Sequence, residues 1–333
     1  MKPLAGRIAL VAGAARGAGR GIARMLGEAG ATIYCTGRSS RAKPNTSKHH
    51  CAGRPETIEE TAEMVDAAGG KGIPVRVDHL VEAEVAGLFD RVKREHGRLD
   101  ILANILTGPP VTSWSPFTKL PLDQGRAAVD TWIWPHITTC WHAAPLMMRA
   151  GAKPAKKNGT KAAGSSAPGT GLIVEIIEQE GIGYHGQFFF DLFEVTLKRL
   201  AYSLSEELTP HGVAAVALTP GFMRTESILE GFGVKESNWR DAAENPQAKG
   251  YGWVHSETPC FVGRAVAALA ADPGVMSKSG GVFASLGLAR EYGFTDLDGT
   301  RPDMASYMAE HHPEFVNAKG KSAYQWKLVR SSE

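Results

Sequence analysis

The chain has 333 residues, enough for one large domain or two modest ones, and we expect a single α/β domain. Its 37 lysines and arginines nearly balance its 35 aspartates and glutamates, which offers no general attraction for nucleic acid or for a membrane surface. No apolar run approaches the roughly 18 residues of a membrane-spanning helix. Because the balanced charge offers no general attraction for nucleic acid or membrane, a small molecule is the expected partner.

Short apolar runs alternate with helical patterns along the chain. In chain order the predicted elements are a strand at Ile8–Ala12, a helix at Gly19–Glu28, a strand at Thr32–Cys35, a helix at Thr57–Ala68, a strand at Pro74–Val77, a helix at Val81–His96, a strand at Ile101–Asn104, a helix at Asp123–Arg149, a strand at Leu172–Ile177, a helix at Phe190–Thr209, a strand at Ala214–Leu218, a helix at Thr258–Ala271 and a strand at Gly281–Phe283. Short, fully apolar strands that alternate with helices predict a doubly wound, Rossmann-like parallel sheet with helices on both faces.

Three segments are predicted as loop insertions on this single domain of residues 1–290. They lie near residues 39–55, 153–171 and 227–258, and residues 291–333 form a C-terminal extension. The second insertion is rich in Gly, Ala, Lys and Ser, a composition typical of a flexible loop.

Neither a secretory signal nor a metal site is predicted. Ile8–Ala12 is too short for the apolar core of a signal sequence, so we expect a cytoplasmic protein. The four cysteines show no C-x-x-C spacing. His49-His50-Cys51 lies in a polar loop, and because structural zinc needs about four convergent ligands we interpret this group as solvated.

The first strand runs into the glycine-rich turn Gly13-Ala14-Ala15-Arg16-Gly17-Ala18-Gly19, and a helix begins there. Gly13, Gly17 and Gly19 allow a tight turn and a close approach of the backbone to a pyrophosphate. The pyrophosphate would bind the free N–H groups at the helix N-terminus. The turn therefore predicts a dinucleotide site.

The second strand is followed by Arg38 and Ser39, where an NAD-binding site generally has a carboxylate. An arginine beside a serine suits a 2′-phosphate, and Arg16 in the glycine turn is a second phosphate partner. We therefore predict NADP(H). The alternative is that either arginine is an exposed loop residue.

The G-x-x-x-G-x-G turn and the segments that follow it resemble the short-chain dehydrogenase/reductase family over roughly residues 5–290, and Gly287 to Gly299 resembles one branch of that family. The resemblance implies a nicotinamide cofactor and a homodimer or homotetramer. Further cofactor-binding residues carried over from the family motifs are Asp78 after the third strand, Asn104 after the fourth, and Pro220, Gly221 and Thr225 in a Pro-Gly-x-x-x-Thr turn.

The family's Asn-Ser-Tyr-Lys tetrad falls, by motif offset, near Trp132 and at Glu178, Phe190 and Glu194, and none of the four matches. The chain has seven tyrosines, and none begins a Tyr-x-x-x-Lys sequence. The usual proton donor is therefore absent, and we take these four positions as the candidate catalytic residues.

Glu178 and Glu194 would place two carboxylates where the family has oxyanion donors, and three hypotheses follow. In the first, the enzyme reduces a C=N bond, because a carboxylate stabilises a protonated iminium but opposes an oxyanion. The tryptophans Trp114, Trp132, Trp134 and Trp141 and the phenylalanines near Phe190 would suit a cationic or aromatic organic substrate. Alternatively, these aromatic residues are packing residues.

In the second hypothesis the two carboxylates share a proton, and a neutral Glu178 donates it during reduction of a carbonyl or an activated C=C bond, while Glu194 accepts hydrogen bonds from the ribose. In the third, Glu194 pairs with Lys198 and is structural. The protein would then be a pseudoenzyme or a non-redox cyclase or isomerase that binds the cofactor.

Overall fold

The computed structural model describes residues 2–44, 53–108, 115–148, 170–178, 184 and 187–311. His49-His50-Cys51, Trp114 and nearly all of the predicted 153–171 insertion lie outside the described residues.

Seven strands form one parallel sheet in the order β3-β2-β1-β4-β5-β6-β7. The strands are β1 (Ile8–Ala12), β2 (Thr32–Gly37), β3 (Lys71–Arg76), β4 (Ile101–Asn104), β5 (Gly171–Ile176), β6 (Val213–Thr219) and β7 (Val282–Ala284). The five central strands are buried along nearly their whole length because both faces of the sheet are covered. The predicted doubly wound, Rossmann-like sheet is therefore confirmed.

The third strand begins earlier than predicted, at Lys71 instead of Pro74. The strand is partly exposed along its whole length because it lies at the sheet edge, and with a polar residue at each end it lacks the continuous apolar run that identifies the other strands. Pro74 is tolerated there because an edge strand has one side that needs no amide donor.

Eleven α-helices connect the strands within the described residues. They are α1 (Gly17–Glu28), α2 (Ile58–Ala67), α3 (Glu82–His96), α4 (Leu122–Ala128), α5 (Trp134–Met147), α6 (Phe188–Leu208), α7 (Glu226–Gly231), α8 (Pro246–Gly250), α9 (Pro259–Ala271), α10 (Ser285–Tyr292) and α11 (Met304–His311). Helices α1, α2 and α9 cover one face of the sheet, and α3, α5 and the end of α6 cover the other.

The single helix predicted over Asp123–Arg149 is in fact broken into α4, a π-helical turn at Val129–Ile133, and α5. Pro135 has no amide hydrogen for the carbonyl of Thr131, four residues earlier, and its ring crowds that carbonyl. A widened turn relieves this conflict. Trp132 lies within this turn and is buried.

Helices α1 and α9 are in close backbone contact. A Cβ on Gly21 would lie 1.9 Å from the carbonyl oxygen of Pro259, and a Cβ on Gly263 would lie 2.5 Å from the carbonyl oxygen of Gly21. Both positions therefore require glycine for a steric reason.

The predicted 227–258 insertion has helical structure of its own, comprising most of α7, a 3₁₀ segment at Glu236–Glu244, α8 and a 3₁₀ turn at Trp253–His255. It packs around Trp239 and Trp253. The C-terminal extension contributes α11, and α10 runs through residue 290. No helix among the described residues has the length and apolar composition to cross a bilayer.

Candidate active site

A cavity of about 1150 Å³ opens at the carboxyl ends of the strands. Its walls come from the segments after β1 to β6, together with α7 and α11. Ligands of open parallel α/β sheets bind at this edge. The cavity is therefore the candidate active site.

The glycine-rich turn forms one wall of the cavity. Gly13 has φ 90° and Gly17 has φ 53°, both in the left-handed region that favours glycine. A Cβ on Gly13 would lie 2.2 Å from the carbonyl oxygen of Ile105, and one on Gly19 would lie 2.1 Å from that of Gly13. The turn leads directly into the N-terminus of α1.

A carboxylate occupies the N-terminus of α1. Glu226 Oε2 accepts a hydrogen bond of 2.9 Å from the Gly17 N–H, and its Oε1 lies 3.6 Å from Arg20 Nε. The helix N-terminus thus contacts an anionic group of the chain itself, and its free N–H groups and Arg20 fit a pyrophosphate. The sequence pattern gave no sign of Glu226.

A group of arginines surrounds Ser39 at one end of the cavity. Arg16 Nη2 donates to Ser39 Oγ at 3.0 Å, and Arg38 and Arg54 also line the cavity. Glu56 lies between Arg16 and Arg54; burial alone would raise the pKa of Glu56, but the hydrogen bonds from Arg54 and the nearby positive charges lower it. Arg54 was missed because it lies in the polar 39–55 segment. Arg54 also pairs with Glu230, so the arginines at this end of the cavity are partly neutralised by carboxylates.

Four of the five residues carried over from the family motifs line the cavity, namely Asp78, Pro220, Gly221 and Thr225. Asn104 is not among the described lining residues. It is fully buried beneath the cavity, where its Nδ2 donates to Glu175 Oε1 at 2.9 Å.

The two glutamates at the candidate catalytic positions are close together. Glu194 is fully buried, and its Oε2 accepts a hydrogen bond of 2.9 Å from the backbone N–H of Glu178. The Glu178 side chain is exposed to the cavity, and desolvation by the surrounding protein raises its pKa. Both residues line the cavity.

Trp132 lines the cavity and packs edge-to-face against Phe193, with ring centroids 4.5 Å apart. Phe190 is not among the described lining residues; it packs near Phe193 in the first turn of α6. Trp134 and Trp141 are 60% and 69% exposed and are not among the described lining residues, so of the described tryptophans named for an aromatic substrate only Trp132 lines the cavity. Trp134 and Trp141 lie seven residues apart, and the inward positions of α5 belong to other side chains.

Beneath the cavity is a buried polar network that the sequence analysis did not identify. His136 Nδ1 is hydrogen-bonded to Glu175 Oε2, and His136 Nε2 donates to the carbonyl oxygen of Leu106 at 2.8 Å. The Cys140 thiol donates to Glu175 Oε1 at 3.2 Å. The available signal was a lone glutamate within the apolar strand β5, together with His136 and Cys140 four residues apart on one helix.

Lys198 is buried one helical turn after Glu194. Burial lowers the pKa of Lys198, against the opposite effect of the charges on Glu194 and Asp191. This arrangement is compatible with the predicted Glu194–Lys198 pairing.

A second buried acid, also missed, lies behind the Pro220-Gly221 turn. Glu257 Oε2 accepts hydrogen bonds from the Gly221 N–H at 2.9 Å and the Ser285 hydroxyl at 2.8 Å, while Oε1 has no hydrogen-bond partner among the described residues. Burial raises the pKa of Glu257 to about 8. A larger fraction of Glu257 is therefore protonated at physiological pH than of an ordinary glutamate.

The sequence and the fold of the chain are similar to those of known proteins. A family model described as short chain dehydrogenase matches residues 7–160. The chain is 33% identical to dehydrogenase/reductase SDR family member 1 from Mus musculus and 32% identical to that from Homo sapiens, over 89% of this chain and 85% of each relative. The crystal structure of a short chain dehydrogenase from Mycobacterium thermoresistibile superposes with a TM-score of 0.66 at 19% identity, covering 88% of this chain and 90% of that one.

Proposed function

Because the chain belongs to the short-chain dehydrogenase/reductase family, we propose that it is an NADP(H)-dependent oxidoreductase that reduces a C=N bond. When bound, the reduced nicotinamide supplies a hydride, which adds to the carbon of a protonated imine and gives an amine and NADP⁺. The observation that carries this proposal is the pair Glu178 and Glu194 in the cavity wall, where the family places oxyanion donors.

The cofactor would bind along the glycine-rich turn. The Gly17 N–H and Arg20 would hold the pyrophosphate, as they now hold the Glu226 carboxylate. Arg38, Ser39 and Arg16 would hold a 2′-phosphate, because guanidinium groups bind phosphate with charge-assisted hydrogen bonds. The turn at residues 220–225 would contact the carboxamide, and Asp78 the adenine.

The glutamates would stabilise a cationic substrate. An ionised Glu194 places negative charge beside the cavity, and Glu178 reaches the cavity directly. Trp132 and Phe193 add aromatic faces, on which a cation or an aromatic ring binds favourably. A small cationic or aromatic imine matches this wall.

A second candidate function is reduction of a carbonyl or an activated C=C bond. The observation that favours it is the raised pKa of Glu178, because a neutral carboxyl can donate a proton to the oxyanion or carbanion that develops. Glu194 would then accept hydrogen bonds from the ribose hydroxyls.

The two functions are separated by following the absorbance of NADPH with matched panels of cyclic imines and ketones. We expect turnover of imines, and we expect Glu178→Gln and Glu194→Gln to lower kcat while the exposed-site control Glu82→Gln does not. Ketone turnover without imine turnover would favour the second function. Binding of NADPH without consumption in either panel would favour a non-redox role.

We also propose that the protein forms a homodimer or homotetramer through the outward face of α5. Trp134 and Trp141 are exposed on that face, and Leu122 on α4 is 77% exposed. Large apolar side chains grouped on one surface are typical of an interface. Analytical ultracentrifugation of wild type and of Trp134→Lys/Trp141→Lys tests this, with Val254→Lys on another exposed surface as the control.

Cell fractionation tests the predicted cytoplasmic location.

A further inference from the structure

His136 lies at the centre of the polar network beneath the cavity, and both of its ring nitrogens face acceptors. Nδ1 is bonded to the Glu175 carboxylate and Nε2 to the Leu106 carbonyl oxygen. A carbonyl oxygen can only accept, so Nε2 carries a proton. Glu175 Oε1 already accepts from Asn104 and Cys140, which stabilises an ionised carboxylate and leaves the second proton on Nδ1. The geometry therefore corresponds to an imidazolium paired with a carboxylate.

The carbonyl that His136 holds belongs to a wall of the cavity. The segment Ile105–Gly108 lines the cavity after β4 and has little room to move. A Cβ on Gly13 would lie 2.2 Å from the Ile105 carbonyl oxygen, and a Cβ on Gly108 would lie 2.1 Å from the Trp132 ring. His136 thus holds from below a segment that is already packed between the glycine turn and Trp132.

His136 is also coupled electrostatically to the candidate catalytic residue Glu194. The charged or titratable groups that face it are Glu175 on β5, Glu194 on α6, Cys140 on its own helix and His79 after β3. Burial lowers the pKa of His136, but the charge and hydrogen bond of Glu175 and the charge of Glu194 outweigh this and raise it. Burial, the positive charge of His136 and that of Arg38 lower the pKa of His79 to about 3, so His79 is neutral.

We propose that His136 is a positioning residue of the active site: its imidazolium, paired with Glu175, fixes the Leu106 carbonyl and, together with buried Lys198, places positive charge near Glu194 beside the cavity. This inference rests on the proposed function, since it assigns a role within that same site. In this assignment a positive charge near the site belongs to His136 on α5, whereas the family motif has a lysine at position 194 itself.

The protonation state of His136 is measured without substrate, by nitrogen-15 NMR of the imidazole rings. The chain has eleven histidines, and the His136 signal is identified by its loss in His136→Gln, or in His136→Asn if that variant folds better. We expect both nitrogens to remain protonated into mildly alkaline pH in wild type, and the ring to become neutral in Glu175→Gln. A neutral ring in wild type at neutral pH would overturn the inference, whatever the reaction proves to be.

The positioning role is measured by kinetics and by the fluorescence of bound NADPH. We expect His136→Gln to lower kcat on the order of 100-fold with a smaller change in KM, because small misplacements in an active site have effects of that size, and to shift the fluorescence of bound NADPH. His142→Gln, on the same helix but stacked on Phe89 away from the cavity, is the matched control and should change neither. Unchanged kcat and fluorescence in a folded His136→Gln protein would contradict the role. An intact imidazolium with no turnover of any substrate would count against the proposed reaction alone.

Discussion

At one end of the cavity Arg38 lies next to Ser39, which already accepts a hydrogen bond from Arg16. We predict that Arg38→Ala weakens NADPH binding about 10- to 100-fold, because a charged hydrogen bond contributes roughly 1.5–3 kcal/mol, and leaves NADH binding nearly unchanged. Titration calorimetry with both cofactors measures this. Arg41→Ala, which removes an exposed arginine paired with Glu63, is the control. Equal losses for the two cofactors would contradict a 2′-phosphate site.

The Glu226 carboxylate competes with the cofactor for the N-terminus of α1. We predict that Glu226→Gln tightens NADPH binding about 2- to 5-fold, since an anion at a helix N-terminus is stabilised by roughly 0.3–1 kcal/mol and must be displaced. Equilibrium binding measured by NADPH fluorescence tests this. The exposed-site variant Glu244→Gln should bind as wild type does. Weaker binding in Glu226→Gln would mean that this carboxylate assists the cofactor.

Glu257 makes stability depend on pH. Its pKa is about 8 in the folded protein and that of an ordinary glutamate in the unfolded chain, so the unfolded chain loses its proton first as pH rises. The free energy of unfolding should therefore fall as pH rises from the usual glutamate range towards about 8. Glu257→Gln should flatten this fall, and the exposed-site variant Glu310→Gln should not. Urea denaturation at a series of pH values tests the prediction, and an unchanged slope in Glu257→Gln would contradict it.

Helices α1 and α9 show how close packing determines a single residue type. We predict that Gly263→Ala lowers the free energy of unfolding by about 1–3 kcal/mol, because its Cβ would lie 2.5 Å from the Gly21 carbonyl oxygen. Gly287→Ala in α10, where nothing lies within 4 Å of the new Cβ, should be neutral or stabilising by up to about 1 kcal/mol. Thermal and urea denaturation of the pair measure the difference. Equal stabilities would contradict the steric explanation.

Most of the strands could be predicted from the sequence to within two residues, because a buried parallel strand is a continuous apolar run. The sequence did not predict the break between α4 and α5, because Pro135 widens the helix through a local conflict that leaves the apolar pattern intact. The 227–258 segment is predicted as a loop insertion, but it contains helices. Its helices are short and pack around Trp239 and Trp253, and no helical period in the sequence identifies such elements.

Across the whole molecule, the cavity combines parts of the chain that are predictable to different degrees. The cofactor end follows from local motifs, and the resemblance of the C-terminal tail to one branch of the family is confirmed by the similarity to dehydrogenase/reductase SDR family member 1. The contact of His136 with Glu175 and that of Glu257 with Gly221 could not be predicted from a motif, because only the tertiary fold brings each pair together. The charge of the site therefore depends on residues outside the family motifs as well as on Glu178 and Glu194.

Whether the carboxylates of this cavity favour a cationic substrate can be measured as the ratio of kcat/KM for a cyclic imine to that for the ketone of the same ring, with NADPH, in wild type and in Glu194→Gln. We predict a ratio well above one in wild type and a marked fall in the variant, because the variant removes the buried negative charge that stabilises an iminium. A preference for the ketone in wild type, or an unchanged ratio in Glu194→Gln, would contradict it.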